Sequence, residues 1–582
     1  MVEAALTRLG RRLVVGLPLG LGKPNRLANA FYRRAKEDPR IELEVVTALS
    51  LDLPTPSSSL ERRFVEPFVQ RHFGGAYPRL EYVADLRKGA VPKNIQITEF
   101  YLQSGSGLGS PLSQRHYISS NYTHVPRDLA GRGVNVVLQM VASDPEGSTD
   151  RVSLSSNPDV TLDVVRRLRA LDRDHLIIGQ LHPDLPFMHG DAVVERGFFH
   201  HLLPPEDDPQ PLFAVPRTPV SPQEYWLGLH ASTLVADGGT LQIGIGALGD
   251  ALVHALLLRH RENDLYREIL ATGAAEGGGP APGVEGIGAR APFQEGLYGA
   301  SEMFMDGFMH LYRAGILKRE VFDDLERQRA ASRNTPGDAH GSGGPAADSE
   351  PGAVMDAAFF LGSRSFYDFL RELAPEERPR FRMMSVKRIN QLYGGSEELE
   401  VLQRRRARFF NTCMMTTLTG AAVSDAVENH QVVSGVGGQY NFVAMAHAME
   451  DGRSILMMRS TRERKGRPTS NVVWEYPHTT IPRHLRDVVV TEYGVALLRG
   501  KTDEECIQAL LESPMPGSRR RWPSVPGRRE SWTGSGESRR QLGPTDRSAS
   551  PARCQTPVSP GTGSPPSPAS PLEATSPRLK SA

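Results

Sequence analysis

Residues 13–48 decide the class of fold, and they read LVVGLPLGLGKPNRLANAFYRRAKEDPRIELEVVTA. An apolar run at 13–17 enters a loop rich in Gly and Pro, a helical pattern follows at 26–36, and a second apolar run occupies 42–48. Short apolar strands that alternate with helices are typical of a parallel α/β sheet with buried strands. The stretch therefore predicts an α/β fold with a mainly parallel sheet.

The same alternation continues along the chain in two blocks. In the first block, residues 134–141 and 176–179 have the apolar composition of buried strands. In the second block, a strand predicted at 240–245 leads into a helix at 247–259. Further strands are predicted at 431–433, 454–458 and 487–491, and an amphipathic helix at 503–511. Two blocks of the same kind predict two similar open α/β domains with a cleft between them.

The domain limits follow from changes in composition. We predict α/β domains at 10–205 and 221–513, joined by a Pro-rich acidic linker at 206–220. Within the second domain, residues 328–352 are rich in Gly, Ala, Pro and Ser and predict a flexible insertion. Residues 514–582 consist mainly of Pro, Ser, Gly and Arg, so they cannot bury a core and predict a disordered tail.

Composition excludes several classes of protein. Among 582 residues, 68 Lys and Arg balance 67 Asp and Glu, which argues against a nucleic-acid-binding surface. The three cysteines form no close pair, and no histidine has metal-ligand spacing, so we expect neither disulfides nor a metal site. No apolar run reaches about 18 residues, the length that a membrane span needs. We expect a cytoplasmic protein without a membrane or nucleic-acid partner.

Two glycine-rich segments follow predicted strands. Gly244-Ile245-Gly246-Ala-Leu-Gly249 fits the dinucleotide fingerprint G-x-G-x-x-G, but the acid expected at the end of the next strand is missing. Nicotinamide or flavin binding, a tight turn, and a cradle of backbone N–H groups for an oxygen anion all remain open here. In residues 434–442, three glycines in four positions indicate either that a ligand approaches the backbone or that the chain makes a plain turn.

Glu302 lies in residues 297–315, where a turn of small residues meets an apolar run. Charged side chains are rarely buried without a partner. A carboxylate at such a junction either caps a helix, where the macrodipole favours an acid, or performs chemistry. The pattern alone leaves both readings open.

Several segments together resemble the acetyl-CoA hydrolase/transferase family, the class I CoA-transferases that include 4-hydroxybutyrate and succinyl-CoA:acetate CoA-transferases. The segments are Gly-Leu-Pro-Leu-Gly-Leu-Gly-Lys-Pro-Asn (16–25), Ser-Ser-Asn-Tyr-Thr-His-Val (119–125), Leu-Gln-Ile-Gly-Ile-Gly-Ala-Leu (241–248), Ser-Glu-Met-Phe-Met-Asp-Gly (301–307), Val-Ser-Gly-Val-Gly-Gly-Gln-Tyr-Asn-Phe (433–442) and Val-Thr-Glu-Tyr-Gly-Val-Ala (490–496). The resemblance covers roughly 13–511 and implies an active site in the cleft between the two domains.

The resemblance also implies roles for particular residues. Glu302 matches the family's nucleophilic glutamate. Gly244, Ile245 and Gly246 match the loop that contributes to the oxyanion site, with Ile245 as the expected N–H donor. The residues that the resemblance places near CoA are Gly437, Gly438, Asn390 and Lys465.

The activity implied is transfer of CoA from a short-chain acyl-CoA to a small carboxylic acid through a glutamyl-CoA thioester on Glu302. CoA is then a substrate, and no metal or other cofactor is needed. A short-chain acyl-CoA hydrolase would use the same residues, so this alternative stays open. Members of the family are commonly oligomers, so a homodimer is expected.

The chain departs from the family pattern near its C-terminal end. Leu497 stands where the family usually has Asp, and the low-complexity segment 514–582 replaces structured chain. A frameshifted or divergent end would explain both. An inactive CoA-binding protein with a damaged C-terminus is therefore a third alternative.

Overall fold

A computed structural model describes residues 1–275, 283–333, 351–393 and 395–512. All of these residues belong to one compact unit. The predicted tail at 514–582 and most of the predicted insertion lie outside the described residues. No helix in the described ranges combines the length and the apolar character that crossing a bilayer requires.

The first large sheet is built from the N-terminal part of the chain. Its strands are β1 (Arg12–Gly16), β2 (Glu42–Thr47), β3 (Ile95–Glu99), β4 (Val136–Ser143), β5 (Arg151–Ser153), β6 (Leu176–Leu181), β7 (Val193–Glu195) and β8 (His201–Leu203). The order β3-β2-β1-β4-β6-β8 is parallel throughout, and β5 and β7 extend it in antiparallel fashion from the end of β4. Seven consecutive residues of β4 are buried, as expected for a parallel strand covered on both faces.

Seven helices accompany this sheet. They are α1 (Val2–Leu9), α2 (Asn25–Glu37), α3 (Ser59–Phe73), α4 (Glu81–Lys88), α5 (Pro111–Arg115), α6 (Val125–Arg132) and α7 (Pro158–Ala170). Their ends follow local chemistry: the Ser58 hydroxyl accepts a hydrogen bond from the Glu61 N–H at the start of α3, and Gly133 ends α6 in the left-handed conformation. The strands and helix predicted within 13–48 are confirmed as β1, α2 and β2.

The second large sheet is built from the C-terminal part of the chain. Its strands are β9 (Thr240–Ile243), β10 (Tyr298–Phe304), β11 (Met355–Phe360), β12 (Phe381–Met383), β13 (Arg408–Thr412), β16 (Arg453–Met457), β20 (Val488–Thr491) and β21 (Gly494–Leu497). The order is β12-β11-β10-β9-β13-β16-β20-β21, parallel except for the last pair. The shorter strands β14 (Met415–Thr417), β15 (Ala422–Val423) and β19 (Val472–Val473) form a small sheet, and β17 (Thr461–Arg464) pairs with β18 (Arg467–Ser470) as a hairpin.

The helices of this part alternate with its strands. They are α8 (Pro222–Ser232), α9 (Ala247–Arg261), α10 (Asn263–Ala275), α11 (Asp306–Arg313), α12 (Leu325–Arg333), α13 (Arg364–Glu372), α14 (Val386–Ile389), α15 (Glu397–Gln403), α16 (Gln439–Ala448) and α17 (Asp503–Glu512). A capping box between Ser221 and Glu224 starts α8. The predicted α/β class with two large, mainly parallel sheets is confirmed.

The largest cluster of buried apolar side chains runs through both sheets. It includes Val137 of β4, Phe359 of β11 and Phe409 of β13. Across it, the ring of Tyr122 meets the ring of Phe359 edge to face at 6.1 Å. The two parts of the chain are therefore packed against each other, while the predicted domain limits remain predictions.

Two local predictions are wrong. Residues 431–433 do not form a strand, because their N–H groups bond elsewhere: the Val432 N–H donates to Gln114 Oε1 of α5 at 2.8 Å, and the Val433 N–H donates to the Asp425 carbonyl at 2.7 Å. The flexible insertion does not begin at 328, because α12 extends to Arg333. The buried Gln328 accepts a hydrogen bond from the Phe322 N–H at 2.9 Å and so fixes the start of α12.

Candidate active site

Glu302 lies near the carboxyl end of β10, a strand in the middle of the second sheet. β10 pairs in parallel with β9 on one side and with β11 on the other. Gly299 allows this packing, since a Cβ there would lie 2.2 Å from Met355 Sδ. The helix that follows, α11, has Asp306 in its first turn. Glu302 is therefore a strand residue, and the helix-cap reading is wrong because Asp306 occupies that position.

Two neutral donors hold the Glu302 carboxylate. The Asn390 side-chain amide, just after α14, donates to Glu302 Oε2, and the Gly438 backbone N–H donates to the same carboxylate. Gly438 immediately precedes α16, so the carboxylate faces the positive end of a helix of ten residues. A Cβ on Gly438 would lie 1.8 Å from Glu302 Oε2, so only glycine allows this approach.

The environment makes Glu302 more basic than an ordinary glutamate. Burial raises its pKa to about 7, and the nearby negative charge of Asp159 acts in the same direction, while the Asn390 and Gly438 donors oppose the shift. Basicity and nucleophilic strength generally rise together for a carboxylate. The site therefore holds a carboxylate suited to attack on an electrophilic carbon.

Residues of the first part of the chain complete the surroundings of Glu302. The Tyr101 ring lies against the glycine loop, where a Cβ on Gly435 would come within 2.6 Å of Tyr101 Cδ2. The Tyr122 N–H donates to the Gly437 carbonyl at 3.0 Å, and the Leu102 N–H donates to the Ser434 carbonyl at 3.3 Å. Gly437 itself has φ +57°, which favours glycine. The glycines at 435–438 thus serve close packing between the two parts of the chain as well as the approach to Glu302.

The predicted oxyanion loop lies at the same sheet edge as Glu302. Tyr298 of β10 pairs with Thr240 of β9, so continuing along both strands brings Gly244 level with Glu302. The loop then turns through Gly246 at φ +118°, and the Ile245 side chain is exposed. The third glycine of the motif, Gly249, packs α9 against the strand: a Cβ there would lie 2.3 Å from the Gly244 carbonyl oxygen.

Lys465 is the one predicted residue that the structure places apart from this group. It lies exposed at the tip of the β17–β18 hairpin with φ +52°. Arginines at or near the hairpin line a cavity of about 500 Å³. The cavity wall combines guanidinium groups with apolar side chains, among them Arg459, Arg462, Arg464, Leu248, Met414, Met415 and Met458. Leu248 follows Gly246 in the first turn of α9, so the cavity extends from the loop beside Glu302 towards the hairpin.

Several of these residues carried no assigned role in the sequence. Tyr101, Tyr122 and Asp159 belong to the first part of the chain, and Tyr122 stands within one of the family-like segments. A carboxylate after Asn-Pro, such as Asp159, normally indicates a helix start. Spacing along the chain offers no signal that these side chains meet Glu302. Within the described residues, no group of three or more His, Cys, Asp or Glu side chains is placed to hold a metal ion.

Comparison with known proteins agrees with this architecture. The sequence profile of the acetyl-CoA hydrolase/transferase C-terminal domain matches residues 362–521. The chain is 25% identical over 349 residues to 4-hydroxybutyrate coenzyme A transferase of Clostridium kluyveri, covering 60% of this chain and 63% of that protein. It is 25% identical over 405 residues to succinyl-CoA:acetate/propanoyl-CoA:succinate CoA transferase of Fasciola hepatica, covering 68% and 66%. The chain thus spans slightly less than two thirds of the length of these relatives.

Solved structures show the same fold. RipA from Yersinia pestis superimposes with a TM-score of 0.61 at 19% identity, and 4-hydroxybutyrate CoA-transferase from Porphyromonas gingivalis with 0.54 at 20%. Each alignment covers 89% of this chain and 94% of the other. The chain therefore has the fold seen in these two structures. The profile match and the sequence relatives support a relationship to the acetyl-CoA hydrolase/transferase family.

Proposed function

We propose that this protein is a CoA-transferase that moves CoA from a short-chain acyl-CoA to a small carboxylic acid, with Glu302 as the nucleophile. The observation that carries the proposal is the arrangement of Glu302, a basic, half-buried carboxylate bound by the Asn390 amide and the Gly438 N–H. The relatives named above, which are CoA transferases acting between acyl-CoA and carboxylate compounds, support the same reaction class.

The first half of the reaction transfers CoA to the enzyme. A Glu302 oxygen attacks the thioester carbonyl carbon, the C–S bond breaks, and an acyl-glutamyl anhydride and CoA thiolate result. The thiolate then attacks the glutamyl carbonyl carbon. The donor's carboxylate leaves, and the enzyme holds a glutamyl-CoA thioester.

The second half repeats these steps in reverse with the acceptor acid. The acceptor carboxylate attacks the glutamyl thioester and releases CoA thiolate. The thiolate then attacks the acceptor's acyl carbon in the new anhydride, which forms the product acyl-CoA and restores the Glu302 carboxylate. Protons are neither consumed nor released over the cycle.

Each step passes through a tetrahedral oxyanion, so preorganised N–H donors are what the site must supply. Removal of one such donor in other enzymes costs about 2.7–4 kcal/mol of transition-state stabilisation. The Gly438 N–H and the Asn390 amide, which contact the Glu302 carboxylate, are proposed to serve the glutamyl carbonyl once Glu302 is acylated. The Gly244–Ile245–Gly246 loop at the same sheet edge is proposed to serve the carbonyl of the acyl-CoA.

The cavity beside this loop suits the rest of the CoA molecule. Its methionines and Leu248 offer an apolar wall for the pantetheine chain, and Arg459, Arg462 and Arg464 offer guanidinium groups for phosphates. Binding energy from this remote part of the substrate holds the thioester in attack geometry. We propose this cavity as the CoA site, in place of a contact made by Lys465 alone.

The experiment is to trap the covalent intermediate. Incubation with acetyl-CoA should add CoA to the Glu302 peptide, and borohydride should reduce that thioester and inactivate the enzyme. Glu302→Gln should take up no CoA and lose at least about 10³-fold in turnover, the scale on which a covalent nucleophile acts. Glu195→Gln, an exposed glutamate on β7, is the matched control and should behave as the wild type.

Three outcomes would decide against transfer. An unlabelled wild-type protein that still turns over acyl-CoA would remove Glu302 from the role of covalent nucleophile. CoA release that is equally fast with and without an added carboxylic acid would identify a hydrolase instead. Tight CoA binding without turnover, unchanged in Glu302→Gln, would identify an inactive CoA-binding protein.

A further inference from the structure

A second carboxylate, Asp159, lies buried behind the Glu302 site. It stands in the first turn of α7 and has no exposed surface. The Tyr122 hydroxyl donates to Asp159 Oδ2. The Asn157 amide is near enough to favour the Asp159 anion, although in the described part of the chain neither its side-chain nitrogen nor Asp159 Oδ1 has a hydrogen-bond partner. An acid that only started a helix would not need a buried phenol and a buried amide beside it.

Tyr122 joins this carboxylate to the active site. Its hydroxyl contacts Asp159, while its backbone N–H donates to the Gly437 carbonyl at 3.0 Å. Gly437 in turn lies beside Glu302, since a Cβ on it would be 3.7 Å from Glu302 Oε1. Tyr122 is itself 2% exposed, so it excludes water from its own surroundings and weakens screening there.

We propose that Asp159, held by Tyr122, is a positioning residue that governs the ionisation of Glu302 and hence the basicity with which Glu302 attacks the thioester. The proposal rests on the proposed function of Glu302 as nucleophile. Neither Asp159 nor Tyr122 touches the reacting atoms. Both act on the reaction through the electrostatic environment of the Glu302 carboxylate.

The charges around the two carboxyl groups support this arrangement. Burial raises the pKa of Asp159 to about 7, the same value to which burial raises that of Glu302, and the Asp159 charge adds to the shift at Glu302. The other titratable groups that face Glu302 are Tyr101, from the loop after β3, and Tyr122. Two carboxyl groups whose charges interact in a poorly hydrated region disfavour simultaneous ionisation.

Asp159 itself has a charged neighbour on the same helix. Asp163, one turn further along α7, raises the pKa of Asp159 through its charge. Asp163 is itself partly compensated by Arg166 and by Lys387 of α14. Asp163 is therefore a suitable control: it is a carboxylate on the same helix with its own cations.

The test measures the rate of glutamyl-CoA formation in a single turnover against pH, at saturating acyl-CoA. In the wild type the rate should rise with pH through about 7 as Glu302 ionises. Asp159→Asn removes the opposing charge. The rising limb should move at least half a pH unit towards acid, and the high-pH plateau should fall several-fold because Glu302 becomes less basic.

Tyr122→Phe provides a second route to the same change and covers the case in which Asp159→Asn does not fold. Without the phenol, Asp159 loses the donor that favours its anion and stays protonated to higher pH. Glu302 then faces a neutral acid, so the limb should again move towards acid. Asp163→Asn should move the limb by less than either variant.

The outcomes separate this proposal from the proposed function. If the wild type forms glutamyl-CoA but the limb stays in place in folded Asp159→Asn and Tyr122→Phe, the positioning role is overturned and the function stands. Equal shifts in Asp159→Asn and Asp163→Asn would overturn it too, because any lost charge would then suffice. If the wild type forms no glutamyl-CoA, it is the function that fails.

Discussion

The carboxyl ends of the two large sheets each carry a glutamate shielded from solvent, and the groups around the two glutamates differ. In the first sheet, Glu99 ends β3 and is 8% exposed. In the second sheet, Glu302 lies near the end of β10 and is half-buried. In open α/β sheets, ligands bind outside the carboxyl ends of the strands, so both glutamates lie where a ligand-binding residue is expected.

Glu99 is compensated by a cation. Lys23, 2% exposed, donates through Nζ to the Ala48 carbonyl at 2.9 Å, and its charge favours the Glu99 anion. Glu99 Oε1 also accepts the Ser50 N–H at 3.1 Å. Burial lowers the pKa of Lys23 to about 8. Burial still raises the pKa of Glu99, so the charge of Lys23 and the Ser50 donor offset only part of the cost of burying this carboxylate.

Glu302 has neutral donors in place of a cation, and an acid nearby. The Asn390 amide and the Gly438 N–H orient it, while Asp159 opposes its charge. A cation would stabilise the anion and weaken it as a nucleophile, whereas neutral donors leave it basic. Glu99 and Glu302 thus differ in the sign of the neighbouring charge: a cation favours the Glu99 anion, whereas a carboxylate opposes the Glu302 anion. This sign distinguishes a structural glutamate from a reactive one.

The largest expected effect is a loss of stability when the cation near Glu99 is removed. Lys23→Met should lower the free energy of unfolding by about 3–5 kcal/mol, because it leaves Glu99 buried without its cation. Denaturant unfolding at pH 7 measures the loss. The double variant Lys23→Met/Glu99→Gln should recover part of it, since no uncompensated charge then remains. Additive losses in the two single variants would show that the two side chains are not coupled.

The next largest effect is a loss of turnover when the approach of Gly438 to Glu302 is blocked. Gly438→Ala places a methyl group where Glu302 Oε2 and Asn390 Nδ2 now lie, so the carboxylate must move. Turnover should fall at least about 10²-fold, the usual cost of roughly 1 Å of misplacement. The backbone φ of −95° suits alanine, so the variant should fold normally.

Gly131→Ala is the matched control for that substitution. Gly131 lies within α6, and a Cβ on it would meet nothing within 4 Å. Activity should stay at the wild-type level, and stability should rise by about 0.5–1 kcal/mol because alanine favours the helix. Wild-type activity in Gly438→Ala would contradict the close approach of this glycine to Glu302.

The smallest expected effect is the loss of stability caused by ionisation of Glu302 in the folded protein. Its folded pKa of about 7 exceeds the ordinary value of 4.5, so the folded protein binds more protons than the unfolded chain between these values. Stability is therefore lost as pH rises through this window. Glu302→Gln should match the wild type at pH 5 and exceed it by about 2–3 kcal/mol at pH 8. An equal difference at both pH values would mean that ionisation of Glu302 is not its cause.

The local patterns predicted the fold class well. Apolar runs at 13–17 and 42–48 became adjacent parallel strands, because buried strands need continuous apolar sequence. The strand expected at 431–433 failed for the opposite reason. Its residues are apolar, but their backbone partners are Gln114 and Asp425, which local sequence does not reveal.

The candidate site was predicted in part. Glu302, Asn390, Gly437 and Gly438 come together in the structure as the family resemblance implied. Lys465 does not join them, because the hairpin turn directs it to solvent while neighbouring arginines line the cavity. A family resemblance predicts the place of a residue on a buried strand, such as Glu302, more accurately than that of a residue in a hairpin loop, such as Lys465. Insertions in a loop shift the alignment of its residues.

Local sequence sets the alternation of strands and helices and the presence of glycines where a carboxylate needs close approach. Both are local properties, set by burial periodicity and by the absence of a Cβ. Long-range packing sets which charge each of the two glutamates faces. Lys23 neutralises Glu99, and Asp159 opposes Glu302, through contacts between residues far apart in the chain. Electrostatic interaction depends on distance in space and on the exclusion of water, and packing alone establishes both.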